Sequence, residues 1–156
     1  MGSLYRSQHE LIAIFKQGSK PHINNVQLGR LGRHRSNVWT YAGVNTFKKS
    51  RAEELEMHPT VKPARLVADA ILDVTNRGDI VLDPFGGSGT TLMAAETTGR
   101  RARLIEIDPL YVDVIIRRWQ AVTKEKAFLK ETGESFADIG AQRAIDIKSQ
   151  PHATIS

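Results

Sequence analysis

The chain has 156 residues, enough for one ordinary domain with a buried core, and its 40% hydrophobic and 25% charged residues match a water-soluble globular protein. Its longest apolar run, Leu11–Phe15, is too short to cross a bilayer. The N-terminus lacks the basic-then-apolar order of a secretory signal, and with no cysteine there is neither a disulfide framework nor a thiolate metal site; no metal centre is expected and a cytoplasmic location fits.

The net charge of +5 is unevenly spread. Residues 1–52 carry nine Lys/Arg against the single acid Glu10, a local net of +8, and the remainder is slightly acidic. Such a basic segment beside a near-neutral one points to a polyanionic partner, nucleic acid first among them.

Three segments follow in chain order: 1–52, 53–123 and 124–156. The first holds one strand candidate, Leu11–Phe15, stopped by Gly18, and then a long irregular loop rich in Gly, Asn, Arg and His. Arg30, Arg33, His34 and Arg35 are its candidate nucleic-acid contacts. In the second segment Pro63 suits the first turn of a helix, and Leu66, Val67, Ala70, Ile71 and Val74 recur behind it at helical spacing, with Gly78 as the stop. Ile80–Leu82 reads as a buried strand. A glycine-rich turn follows, then a helix from about Gly89 to Thr98 closed by Gly99, a strand over Ala102–Ile107, and a helix opened by Pro109. This alternation predicts an α/β fold with a parallel sheet covered by helices. The third segment reads as a weakly structured tail.

The turn, Leu82-Asp-Pro-Phe-Gly-Gly-Ser-Gly-Thr-Thr91, lies where open α/β sheets bind ligands, between a strand's carboxyl end and a helix's amino end. Glycines let a ligand approach the main chain, and free N–H groups at the helix start favour an anion. A P-loop needs Lys after its last glycine; here Thr90 and Thr91 follow Gly89. A dinucleotide fingerprint begun at Gly87 puts its third glycine on Leu92. A nucleoside bearing an amino-acid carboxylate, S-adenosylmethionine, remains. Glu106, about 20 residues on at the end of the next strand, is placed to accept hydrogen bonds from ribose hydroxyls.

Three stretches in this order, His-Pro-Thr-Val-Lys-Pro at 58–63, Asp-Pro-Phe-Gly-Gly-Ser-Gly-Thr-Thr at 83–91 and Ile-Glu-Ile-Asp-Pro at 105–109, resemble the amino-group DNA methyltransferases, which methylate N6 of adenine or N4 of cytosine. The resemblance covers about residues 3–123 and is to the permuted subgroup, whose catalytic motif lies upstream. It implies a Rossmann-like sheet of the S-adenosylmethionine-dependent methyltransferases, incomplete in this chain. It also implies that Asp83, Phe85, Gly86, Gly87, Ser88 and Gly89 form the cofactor loop, that Glu106 holds the ribose, and that Thr60, Lys62 and Pro63 line the methionine end.

The family's catalytic motif joins an Asp, Asn or Ser to two prolines and an aromatic, which grip an extrahelical base. No Pro-Pro occurs in this sequence. Asp-Pro-Leu-Tyr at 108–111 lacks the second proline and follows Glu106 directly, so it reads as a helix start. No catalytic residue is therefore assigned; the motif is expected before residue 1, and the chain resembles the carboxyl-terminal half of such an enzyme. The leading expectation is an S-adenosylmethionine-dependent methyltransferase of double-stranded DNA, with N6 of adenine favoured over N4 of cytosine. Its partner beyond DNA is a separate catalytic half or a second copy. A non-catalytic remnant or subunit that binds cofactor or DNA, and an RNA methyltransferase, are the alternatives.

Overall fold

A computed structural model describes Leu4 and residues 9–41 and 63–149. Helix α1 (Ala64–Val74) starts directly after Pro63, whose fixed φ of −58° suits the helix entry. Strand β1 (Ile80–Asp83) leads through the glycine turn into helix α2 (Thr90–Thr98), and strand β2 (Arg101–Leu104) returns parallel to β1 with Ile80 opposite Arg101 and Asp83 opposite Leu104. Helix α3 (Pro109–Thr123) follows, with Asp108 capping its first turn by accepting from the Leu110 N–H at 2.8 Å. These elements form the expected βαβ arrangement.

Both strands alternate between an exposed and a half-buried residue. Val81, Asp83, Ala102 and Leu104 take the half-buried positions, while Ile80, Leu82, Arg101 and Arg103 are exposed. Ile80–Leu82 is thus a strand as expected but not a buried one, because no helix among the described residues covers that face of β1. The core is small and lies along the helices: Ile71 of α1, Met93, Ala94 and Ala95 of α2, and Ile115 of α3 are buried. Two alanines without side-chain bulk let α2 sit close to its neighbours. Val74, expected on the apolar face of α1, is instead 51% exposed, and Asp73 beside it is buried.

Three expectations change. Leu11–Phe15 forms no strand: Leu11 and Phe15 are more than nine-tenths exposed, and the sheet among the described residues consists of β1 and β2 alone. A strand needs a hydrogen-bonding neighbour, and this apolar run has none there. Strand β2 ends at Leu104 rather than Ile107, because β1 turns away at Pro84; Ile105 still donates to the Asp83 carbonyl at 2.9 Å and accepts from Gly86 N–H at 2.8 Å. Residues 124–149 are more ordered than the weak pattern implied. Phe128 bridges Ser135 antiparallel, and helix α4 (Phe136–Ser149) begins where the Ser135 hydroxyl accepts from Asp138 N–H at 3.2 Å and donates to its carboxylate at 2.6 Å.

The loop before α1 is irregular, as its composition predicts, apart from one short turn at Gln27–Gly29. Asn25 fixes it to the far end of α1: its side-chain amide donates to the carbonyls of Leu72 at 3.0 Å and Thr75 at 2.8 Å, and its backbone N–H to Asp73 at 2.9 Å.

Candidate functional site

The glycine turn is held by two carboxylates. Asp83 accepts from Phe85 N–H at 3.0 Å on one oxygen and from the Thr91 hydroxyl at 2.6 Å on the other, which ties the strand end to the first turn of α2. Glu106 accepts from Gly87 N–H at 2.6 Å and from Asp108 N–H at 3.0 Å. The Glu106 side chain, two residues beyond β2, therefore reaches back over the turn and fixes the peptide between Gly86 and Gly87.

The three glycines have different reasons to be there. An added Cβ on Gly86 would lie 3.3 Å from side-chain carbons of Ile115 and Leu104. On Gly89, whose φ is +81°, it would lie 3.0 Å from Ile115. Both positions are tight, against Ile115 of α3 and, at Gly86, against Leu104 of β2 as well. Gly87, at φ +52°, has nothing closer than the Phe85 carbonyl at 3.9 Å, so its missing side chain leaves open space. Ser88 is buried, and Phe85 stands 86% exposed. The turn thus divides into residues packed inward (Gly86, Ser88, Gly89) and residues facing out (Phe85, Gly87), with Asp83 half-buried between them.

Two positioning residues escaped the sequence reading. Thr91 braces Asp83, and the Arg118 guanidinium donates to the Ser88 carbonyl. The signal for Arg118 was available: it lies three residues after Ile115, so both project from one face of α3 onto the turn.

The basic loop sits elsewhere, against α1. Asp69 and Asp73 are one helical turn apart on α1, a like-charge spacing that alone is unfavourable. Arg33 answers it with Nε at 2.9 Å and Nη2 at 2.5 Å from Asp73 Oδ1, and Nη2 also donates to the Asp69 carbonyl at 3.1 Å. Arg35 lies 2.6 Å from Asp69 and 3.4 Å from Asp73. The Tyr41 hydroxyl donates to Asp69 at 2.7 Å and accepts from Arg35 at 3.3 Å, and the Arg35 guanidinium lies 5.0 Å over the Trp39 ring. The hydrogen bond to Asp69 is the main reason Arg35 is held above its ordinary range, against an opposing effect of burial. Burial first, then the bond to Asp69, pushes the Tyr41 phenol up. Burial would raise Asp69 too, but the hydrogen bonds from Arg35 and Tyr41 outweigh it and hold the carboxyl below its usual range.

Arg33 and Arg35 are therefore engaged within the protein, whereas Arg30 and His34 are exposed. Gly29, at φ +91°, has the His34 imidazole against it: a Cβ there would come 2.2 Å from the ring. A cavity of about 510 Å³ opens between loop and helix, lined by His34, Arg35, Trp39, Tyr41, Pro63 and Arg65 among others. Pro63 thus lies on the basic-loop side. Thr60 and Lys62 fall outside the described residues, as does His58. Asp83, Phe85, Gly86, Gly87, Ser88, Gly89 and Glu106 are brought together around one turn.

Residues 3–117 match the N6/N4 DNA methylase family. A DNA adenine methyltransferase of Escherichia coli, YhdJ, is 38% identical over 112 residues, which are 72% of this chain and 34% of YhdJ. The type II methyltransferase M.HpaI of Haemophilus parainfluenzae is 38% identical over 96 residues, 62% of this chain and 28% of that protein. The chain spans about a third of the length of these curated relatives. Among solved structures, the cytosine-N4-specific PvuII DNA methyltransferase superposes with a TM-score of 0.46 at 29% identity over 55% of this chain and 32% of that one. The M1.HpyAVI–S-adenosylmethionine complex gives 0.38 at 43% identity over 39% and 30%. The family assignment rests on the sequence match.

Proposed function

The chain belongs to the N6/N4 DNA methylase family, and from that premise we propose that it forms the S-adenosylmethionine-binding part of a methyltransferase acting on double-stranded DNA. One observation carries the reading: the Glu106 carboxylate, two residues beyond β2, is fixed against the N–H of Gly87, the glycine whose open side a ligand can approach. The residues fit the cofactor. Carboxylate oxygens accept several hydrogen bonds each, so those that fix the turn also suit a vicinal diol. The exposed Phe85 offers an aromatic surface beside the same opening. S-adenosylmethionine, when bound, supplies an electrophilic methyl group for an exocyclic amino nitrogen.

In this reading the residues of 53–123 serve cofactor binding. Glu106 orients the ribose, the turn from Asp83 to Gly89 admits the nucleoside to the main chain, and Thr60 and Lys62 receive the methionine end; Pro63, which lines the cavity on the basic-loop side, is not counted with them. Lys and Thr are suitable donors to its carboxylate. Adenine N6 is the favoured target, in keeping with the similarity to YhdJ. The acceptors for the target amino group are not assigned to residues of this sequence, which holds no Pro-Pro.

The test is calorimetric titration of the full chain with S-adenosylmethionine. Binding is expected, with Glu106→Ala weakening it by about tenfold or more, the loss typical of a charge-assisted hydrogen bond, and Glu106→Gln by less. No heat above dilution from the wild-type chain, or equal affinity for wild type and Glu106→Ala, sinks the reading. The chain alone is expected to leave DNA unmethylated because it carries no Pro-Pro-aromatic motif; labelled methyl in DNA after incubation with it refutes that part.

A further inference from the structure

We propose that the cavity between the basic loop and α1 is a subsite for one phosphodiester of duplex DNA, with Arg65 as its phosphate contact and Arg33 and Arg35 as internal struts. The inference rests on the DNA-substrate reading above and redistributes its cationic residues. Arg33 and Arg35 look by composition like the natural phosphate contacts, yet both guanidiniums are already ion-paired within the protein. Their side chains are 26% and 21% exposed, and each reaches both Asp69 and Asp73 within 4 Å. A phosphate recruiting either one must first break an ion pair with a carboxylate that is itself mostly buried.

Charge counting over the cavity gives the same division. Two arginines of the loop face two aspartates of the helix, which cancels formally. Arg65, on the first turn of α1, lines the cavity, is exposed, and takes part in none of the ion pairs among the described residues. It leaves the cavity with a net positive charge. The remaining wall is uncharged: Ser36, Thr40 and Tyr41 carry hydroxyls, Trp39 and the His34 ring add aromatic surface, and Val38 and Pro63 are apolar. A single cation among hydroxyls and rings, in a volume of about 510 Å³, suits one phosphodiester with its sugar. The struts set the shape of the wall: Arg35 lies over Trp39 while Asp69 holds Arg35 and Tyr41, so the acidic face of α1 fixes the cavity's aromatic side before any ligand arrives.

The distinguishing measurement is the salt dependence of duplex binding by the full chain. Each phosphate contact contributes roughly 0.9 to the slope of log affinity against log salt. Arg65→Gln is expected to lower that slope by about 0.9, equally on two duplexes of unrelated sequence, with helical content by circular dichroism unchanged. Lys130→Gln, an exposed cation away from the cavity, serves as the reference and is expected to leave the slope as it is. A slope for Arg65→Gln equal to wild type overturns the inference while the DNA reading stands. So does a loss confined to one sequence, which marks a base contact; tighter binding of RNA than of duplex DNA in competition overturns the DNA reading and the inference with it. If the wild-type chain binds S-adenosylmethionine but no duplex at any salt, the DNA reading falls and the inference falls with it.

Discussion

The glycine turn and the basic loop are both irregular, both carry charged side chains, and they are held by opposite means. In the turn, carboxylates grip backbone N–H groups and a neighbouring hydroxyl across short stretches of sequence, and glycines make room for a helix. In the loop, side chains grip side chains some forty residues away on α1. The first arrangement depends on the absence of atoms, the second on paired charge. They should accordingly fail under different perturbations.

The largest expected effect is on the turn. Gly89→Ala places a Cβ in the left-handed region and against Ile115, so it should lower the unfolding free energy by roughly 2–4 kcal/mol, measured from urea midpoints. Gly87→Ala meets open space and should cost only about 1 kcal/mol for its φ, while weakening S-adenosylmethionine binding more than it weakens the fold. If both alanines destabilise equally, the division between packed and ligand-facing glycines is wrong.

Next comes the loop. Asp73→Ala removes the buried carboxylate that Arg33 grips and is expected to cost about 2 kcal/mol, with Trp39 fluorescence reporting the loosened loop. The Asp69 contribution has a pH signature. Its carboxyl is held below the ordinary value of 3.8, so the stabilisation is complete above that value and is lost as pH falls through the lower folded one. The difference in urea midpoint between wild type and Asp69→Asn should therefore shrink on acidification below about pH 4; a gap that persists in strong acid contradicts the ionic account. The smallest effect belongs to the exposed pair of Arg117 and Asp113 on α3, 3.1 Å apart. Asp113→Ala should change stability by no more than about 0.5 kcal/mol.

The same contrast explains what the sequence made legible. The helix after Pro63, the strand at Ile80, the turn and the helix at Pro109 are written in local signals: a fixed φ, a period of 3.6, glycines in a row. Glu106 was legible because its spacing from the glycines reflects one βαβ repeat. The fates of Arg33 and Arg35 were not, since nothing local distinguishes an arginine destined for phosphate from one paired with Asp73 on a later helix. Leu11–Phe15 failed for a related reason: an apolar run states a capacity to pair, and the partner strand is a property of the whole sheet. Helix α4 was missed because its apolar spacing is weak, though Ser135 and Asp138 stand at capping distance.

Asn25 gives the loop a further consequence. The last carbonyls of a helix have no partner within it, and here two from the end of α1 accept from a side chain about fifty residues earlier. The final turn of α1 and the loop around Asn25 are thereby one unit of local opening, because neither can leave without exposing the other's hydrogen-bonding groups to water. Amide protons at Asn25 and in the last turn of α1 should exchange with solvent at matched rates, and Asn25→Ala should release both together.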